Sequence, residues 1–78
     1  MSWKTYLVMY FGSDGNTSIN EIVKKVESLG FVSTMGPVDF LYDWENRTPS
    51  KEDIFELADK LKKTLQGTGT IFNLDTHD

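Results

Sequence analysis

Residues 38–44 read VDFLYDW, in which apolar side chains alternate with a second set that includes two acids. An alternation with a period of two is typical of a strand with one buried and one exposed face. One face carries Val38, Phe40, Tyr42 and Trp44, and the other carries Asp39, Leu41 and Asp43. An unpaired carboxylate is costly to bury, so we predict that the face with Phe40 turns toward the core. The opposite assignment, which would expose the aromatic rings, stays open at this point.

Three other segments have the composition of strands. Residues 3–11 are apolar on both alternating faces, which is typical of a strand at the centre of a sheet. Residues 31–35 predict a short strand, and Gly36-Pro37 predicts a turn into the strand described above. Residues 70–74 predict the last strand, and a polar tail of residues 75–78 follows it.

An amphipathic helix is predicted between the first two strands. Ser18 and Glu21 fit a capping box at its start, and Gly30 suits a left-handed residue just past its end. Its apolar stripe consists of Ile19, Ile22, Val23, Val26 and Leu29.

A second amphipathic helix is predicted up to about Gln66. It begins either with Thr48 as the cap and Pro49 in the first turn, or with Ser50 as the cap and Asp53 three residues later. Its apolar stripe consists of Ile54, Leu57, Ala58, Leu61 and Leu65, with Phe55 on its flank.

The order of these elements is strand, helix, strand, strand, helix, strand. It resembles the ferredoxin-like α/β plait over nearly the whole chain, in element order only. The resemblance implies an α+β two-layer sandwich in a single domain of residues 1–78, with both helices on one face of a four-stranded antiparallel sheet. We expect the spatial order 4-1-3-2, with the central first and third strands parallel. That direction would place Lys4 near Asp39, and Asp43 near Phe11 and Gly69.

Composition disfavours several functional classes. The 78 residues include 8 basic and 12 acidic side chains, for a formal net charge of −4, and they include no cysteine. Polyanion-binding proteins usually have the opposite charge balance, so we expect neither nucleic acid nor an anionic membrane as a partner. The absence of a signal-peptide pattern and of a long apolar run predicts a cytoplasmic protein. RNA-recognition domains share this element order and stack bases on sheet aromatics, for which Tyr6 and Tyr10 are candidates. The other central strand, however, lacks their basic-glycine-aromatic signature.

Motifs for chemistry are weak. Residues 12–18 join a strand to a helix start but lack the lysine of a phosphate-binding loop, and the pattern of a calcium loop is incomplete. His77, near two acids, is read as part of a frayed tail. We predict no catalytic residue, no cofactor and no metal site. The alternative function is a small-ligand or metal-binding protein, or an enzyme, with an acidic site at Asp43, Trp44 and Glu45 near Arg47.

The predicted function is a non-catalytic protein-interaction or self-assembling module. With both helices on one side, the outer sheet face has no cover, and its apolar residues are Tyr6, Val8, Tyr10, Leu41 and Ile71. Together they would expose about 300–500 Å², which is the range in which a patch on a monomer tends to be functional. A homo-oligomer with two-fold symmetry is the simplest partner, because it pairs the patch with itself.

Overall fold

Two helices and four strands make up the described part of the chain. The structure is a computed structural model that describes residues 2–11, 18–34 and 39–78. The elements in chain order are β1 (Lys4–Tyr10), α1 (Ile19–Ser28), β2 (Val32–Ser33), β3 (Asp39–Asp43), α2 (Lys51–Thr64) and β4 (Ile71–His77). The predicted βαββαβ order is thereby confirmed. The predicted loop at residues 12–17 and the predicted turn at Gly36-Pro37 lie outside the described residues.

The sheet has the predicted neighbours but a different strand direction. Its order is β2-β3-β1-β4, and every neighbouring pair is antiparallel. The expectation that β1 and β3 are parallel was wrong. A crossover through α1 brings the chain back parallel to β1 in β2, and the reversal between β2 and β3 then turns β3 against β1. The all-antiparallel sheet is consistent with a ferredoxin-like arrangement.

The antiparallel direction changes which residues face one another. Lys4 is paired with Asp43, and Val8 is paired with Asp39. The prediction that Lys4 lies near Asp39 was therefore wrong. The end of β3 was also expected beside Phe11, but the amide of Trp44 donates to the carbonyl of Trp3 over 3.0 Å. The last residues of β3 thus lie at the start of β1.

Both helices begin at a serine cap. The Ser18 hydroxyl accepts a 3.2 Å hydrogen bond from the amide of Glu21 at the start of α1. At α2, Ser50 and Asp53 form a reciprocal capping box, with hydrogen bonds of 3.1 Å and 2.9 Å. Of the two predicted starts of α2, the one with Ser50 as the cap is confirmed. Gly30 follows α1 with a φ of 104°, as its predicted left-handed position requires.

The core lies between the inner sheet face and the two helices. Its buried members from the strands include Leu7, Met9 and Phe40, and they pack with Ile22 and Val26 of α1 and with Leu57 and Leu61 of α2. Because Phe40 is 1% exposed, the predicted orientation of β3 is confirmed at that residue. Side chains alternate between the two faces of a strand. Turning β3 over would therefore expose Phe40 and bury Asp39 and Asp43.

The last strand is longer than the sequence predicts. Residues 75–77, assigned to a frayed tail, continue β4, where Asp75 pairs with Tyr6 and His77 with Lys4. The reason is that β1 already begins at Lys4 and therefore offers backbone partners up to that point. No helix in the described ranges has the length and apolar character needed to cross a membrane.

Candidate interaction surface

The outer sheet face is the side of the sheet opposite the core. Alternation along the strands places the following residues on it: Lys4, Tyr6, Val8, Tyr10, Val32, Asp39, Leu41, Asp43, Ile71, Asn73, Asp75 and His77. All five residues predicted for the interface therefore share one surface. Val32 was not singled out in the sequence, because its side is decided by its pairing with Leu41.

Apolar side chains on the outer face form a band of two rows, which Val8 of β1 links through a row that also contains Asp39 and Asn73. Val32 pairs with Leu41, and Leu41 pairs with Tyr6 on β1. At the other end of the sheet, Tyr10 pairs with Ile71. Tyr10 is 55% exposed and Ile71 is 69% exposed. Side chains opposite one another on adjacent strands are in contact range, so these two present a single apolar surface to solvent.

One end of the outer face is charged. Lys4 on the central strand has Asp43 on one side and His77 on the other. The His77 ring stacks on Tyr6 with centroids 4.7 Å apart and an interplanar angle of 16°. Its Nε2 lies 3.8 Å from a carboxylate oxygen of Asp75, which makes an ion pair when the ring is protonated. The end of the chain is thereby held against the sheet by an aromatic contact as well as by the strand ladder.

On the core side of the sheet, below this charged end, a buried hydrogen-bond network joins Thr5 of β1, Thr76 of β4 and Trp44, which follows β3. The indole Nε1 of Trp44 donates to Oγ1 of Thr5 over 2.8 Å, and the same oxygen is hydrogen-bonded to Oγ1 of Thr76 over 2.8 Å. Thr5 is completely buried and Trp44 is 8% exposed. Burial without these partners would leave polar atoms unsatisfied, so the network is what allows Trp44 to lie inside.

The predicted acidic site does not converge on one space. Asp43 lies on the outer face, whereas the neighbouring Trp44 is turned into the core. Glu45 stands in a turn with a φ of 58°, and its amide donates to Oδ1 of Asp43 over 2.8 Å. Asp43 therefore acts as a turn-stabilising acceptor, and its carboxylate and the Trp44 ring face opposite sides of the sheet.

A small pocket lies on the helix side of Trp44. It has a volume of about 150 Å³, and its lining residues include Tyr42, Trp44, Arg47, Asp53 and Lys60. The Arg47 guanidinium lies 5.6 Å from the Trp44 ring centroid and 2.8 Å from Oδ2 of Asp53. Drug-sized ligands occupy pockets of about 300–1,000 Å³, so this one is too small for a ligand of that size.

The pKa of Asp53 is lowered by neighbouring groups at the start of α2. The largest cause is the hydrogen bond from the backbone amide of Ser50, against which partial burial of the carboxyl acts. Hydrogen bonds from the Arg47 and Ser50 side chains and the positive charge of Arg47 lower the pKa further. Each of these groups favours the charged form, as in a helix cap. The shift is explained by helix capping and requires no ligand.

A larger groove lies between α2 and β4, and the sequence did not predict it. Its volume is about 540 Å³, and its lining residues include Asp59, Lys62, Lys63, Leu65, Thr70 and Phe72. All of its lining residues lie within residues 59–72, at the end of α2, in the turn that follows and at the start of β4, and no recognised motif in that stretch signals a groove.

The described residues offer no metal centre. Over residues 2–11, 18–34 and 39–78, no group of three or more His, Asp or Glu side chains is arranged to hold a metal ion.

Searches of the chain against protein-family models, curated proteins and solved structures find no match. Functional inference therefore depends on the surface itself.

Proposed function

We propose that this protein is a non-catalytic interaction module that self-associates through its outer sheet face. The observation that carries the proposal is the pairing of Tyr10 with Ile71, two large side chains that are more than half exposed and adjacent on neighbouring strands. Contiguous exposed apolar side chains on a monomer tend to mark interaction sites when the patch they form is large.

The chemistry of the band suits a protein interface. A tyrosine ring buries a large area while its hydroxyl keeps a polar partner, and aromatic residues are enriched at interfaces.

The charges on the outer face favour one two-fold arrangement. A two-fold axis that runs along β1 lays β3 of one copy over β4 of the other. Asp43 then faces His77 of the second copy, and Asp39 faces its Asn73, because these residues share rows across β1. Asp39 and Asp43 each gain a polar partner, which lowers the cost of removing them from water, whereas Asp75 shares the row of Leu41 and faces that residue of the second copy. An axis across the strands would instead lay β3 over β3 and bring Asp39 toward Asp43 of the second copy.

Interfaces of standard size bury about 800 Å² on each partner. The residues of the band are expected to expose about 300–500 Å², which is less than that area, so we expect a weak dimer that depends on concentration. The outer face bears Asp39, Asp43 and Asp75 against one lysine, Lys4, in the described strands, which also argues against an RNA backbone as the partner.

Sedimentation of the wild-type protein over micromolar to millimolar concentrations tests the proposal. We expect a concentration-dependent rise to the dimer mass, and we expect Tyr10→Glu to abolish it by placing a charge in the band. Phe55→Glu is the matched control, because Phe55 is 69% exposed on α2, away from the outer face. It should leave association unchanged.

Circular dichroism shows whether each variant keeps its fold. A wild-type protein that stays monomeric at millimolar concentration would refute self-association. Equal loss of association in both variants would assign the contact to general charge rather than to the outer face.

A further inference from the structure

The groove between α2 and β4 has the features of a site for an extended peptide. Its buried wall includes Leu65, which is 3% exposed, and the half-buried ring of Phe72. Lys62 and Lys63 lie at the rim, near the end of α2. An apolar floor beside cationic groups provides two kinds of contact for one ligand.

One side of the groove is a free sheet edge. In the part of the chain that the structure describes, β4 pairs with β1 alone, so its other edge has unpaired backbone groups. The strand is seven residues long, whereas the opposite edge strand, β2, has two. Residues 71–77 include neither proline nor lysine, which often protect exposed edges. Such an edge accepts an additional strand by main-chain hydrogen bonding.

The local charge is opposite to that of the whole chain. The chain has a net charge of −4, but the groove has two lysines to one acid, Asp59. Lys63 contacts Asp59 over 3.1 Å, which offsets one of the positive charges. The remaining positive charge lies close to the start of β4 and attracts an acidic group there.

We propose that the groove and the β4 edge together bind an extended acidic peptide segment of another protein by strand addition. Main-chain hydrogen bonds to β4 supply part of the affinity. Side chains on alternate positions of the peptide point into the groove, where an aliphatic group packs on Phe72 and a carboxylate meets Lys62 and Lys63. This surface is separate from the outer sheet face and is available whether or not the protein self-associates.

Charge disfavours a second copy as the occupant of this edge. Antiparallel pairing of two β4 strands over their full length would place Asp75 of each copy opposite Asn73 of the other, and neither strand carries a lysine. The acid on this edge therefore gains no basic partner from a second copy.

The probe is the blocked peptide acetyl-TVVEEVT-amide, in which either alternating face offers valine next to glutamate. We expect saturable chemical-shift changes at the amides of residues 70–74 and at residues 62–66 when the labelled protein is titrated. Two control peptides separate the contributions. TVVKKVT reverses the charge, and TVVEEVT N-methylated at both glutamates loses one central hydrogen-bond donor on each edge. Both should bind at least about tenfold more weakly.

Two charge-matched protein variants localise the site. Lys62→Glu with Lys63→Glu should weaken peptide binding about tenfold, because two attractions become repulsions. Lys24→Glu with Lys25→Glu makes the same change in net charge on the exposed side of α1 and should alter binding less than twofold. Thermal unfolding of both variants confirms that each is folded at the temperature of the titration.

Four results would overturn the proposal. They are no saturable shift up to about 2 mM peptide, equal binding of the glutamate and lysine peptides, equal binding of the N-methylated peptide, or shifts confined to the outer face. Protection of the β4 edge amides in the peptide-free protein, rising with its concentration, would assign the edge to a second copy instead. Self-association measured by sedimentation with Tyr10→Glu is a separate readout, so either proposal can fail alone.

Discussion

The indole nitrogen of Trp44 donates a 2.8 Å hydrogen bond to the hydroxyl of Thr5, a residue that is completely buried in β1. Trp44 follows the last residue of β3, and its own amide bonds to the carbonyl of Trp3. The side-chain bond therefore reinforces the antiparallel pairing of β1 and β3 at the end where the backbone ladder stops. It also fixes which face the tryptophan occupies, since its N–H has to reach an acceptor inside the core.

Thr5→Val should destabilise the protein by about 1–3 kcal/mol, because it preserves shape but leaves the buried Trp44 N–H without an acceptor. In a domain of this size, each kcal/mol lowers the melting temperature by about 4–8 °C. Thermal unfolding followed by circular dichroism measures the change. Thr76→Val is the matched control and should cost less, since Thr5 still accepts from Trp44. An equal cost for both variants would contradict the role assigned to the indole bond.

Gly30→Ala should destabilise the protein by about 2–4 kcal/mol through backbone strain and overpacking. Gly30 has a φ of 104°, and a Cβ there would lie 2.9 Å from Cε2 of Tyr42. The Tyr42 ring is held edge-on between Phe31 and Trp44, with centroid distances of 5.5 Å and 4.8 Å, so it has little freedom to move away.

Gly67→Ala separates strain from crowding in this prediction. Gly67 has a φ of 84°, but an added Cβ would meet nothing within 4 Å. We expect a cost of about 1 kcal/mol from the backbone alone. Chemical denaturation of both variants gives the two costs. If they are the same, contact with Tyr42 contributes nothing.

Asp53 should make the stability of α2 sensitive to acid. The Ser50 amide and the Arg47 guanidinium hold the pKa of this carboxyl below its ordinary range. A carboxyl with a lowered pKa in the folded state releases its proton more readily there than in the unfolded chain. The stability that the charged carboxyl adds to the folded state is therefore complete above its unfolded-state pKa of about 4. It is lost as the pH falls through the lower pKa of the folded state.

We therefore expect Asp53→Asn to flatten the decline of stability as the pH falls below about 4. Urea unfolding at several pH values measures the decline. Glu52→Gln is the control, because Glu52 is in the same turn of α2 and is absent from the capping box. A wild-type acid profile retained by Asp53→Asn would show that the cap does not depend on this charge.

Nucleic acid should bind no more tightly than about 10⁻⁵ M at physiological salt, because attraction to phosphates is the main source of non-specific affinity. The net charge of −4 and the acids of the outer face oppose that attraction. Fluorescence titration with single-stranded RNA at two salt concentrations tests this expectation. Micromolar affinity that weakens strongly with added salt would overturn it.

Local sequence determined the elements and the faces of this protein. The Ser50–Asp53 capping box and the left-handed Gly30 depend on residues within one or two turns, and both are present as the sequence predicts. The side of β3 that faces the core follows from alternation together with the cost of burying Asp39 and Asp43. Such signals are short in range, so they are visible in the printed chain.

Tertiary structure decided the direction of β1 against β3 and everything that depends on it. A strand pattern reads the same in either direction, so only the full path through α1 and the reversal before β3 makes the pair antiparallel. That path sets Asp43 beside Lys4 and brings Trp44 onto Thr5. It also places residues 75–77 beside β1, which supplies their backbone hydrogen-bond partners. These residues therefore continue β4, although their composition predicts a tail.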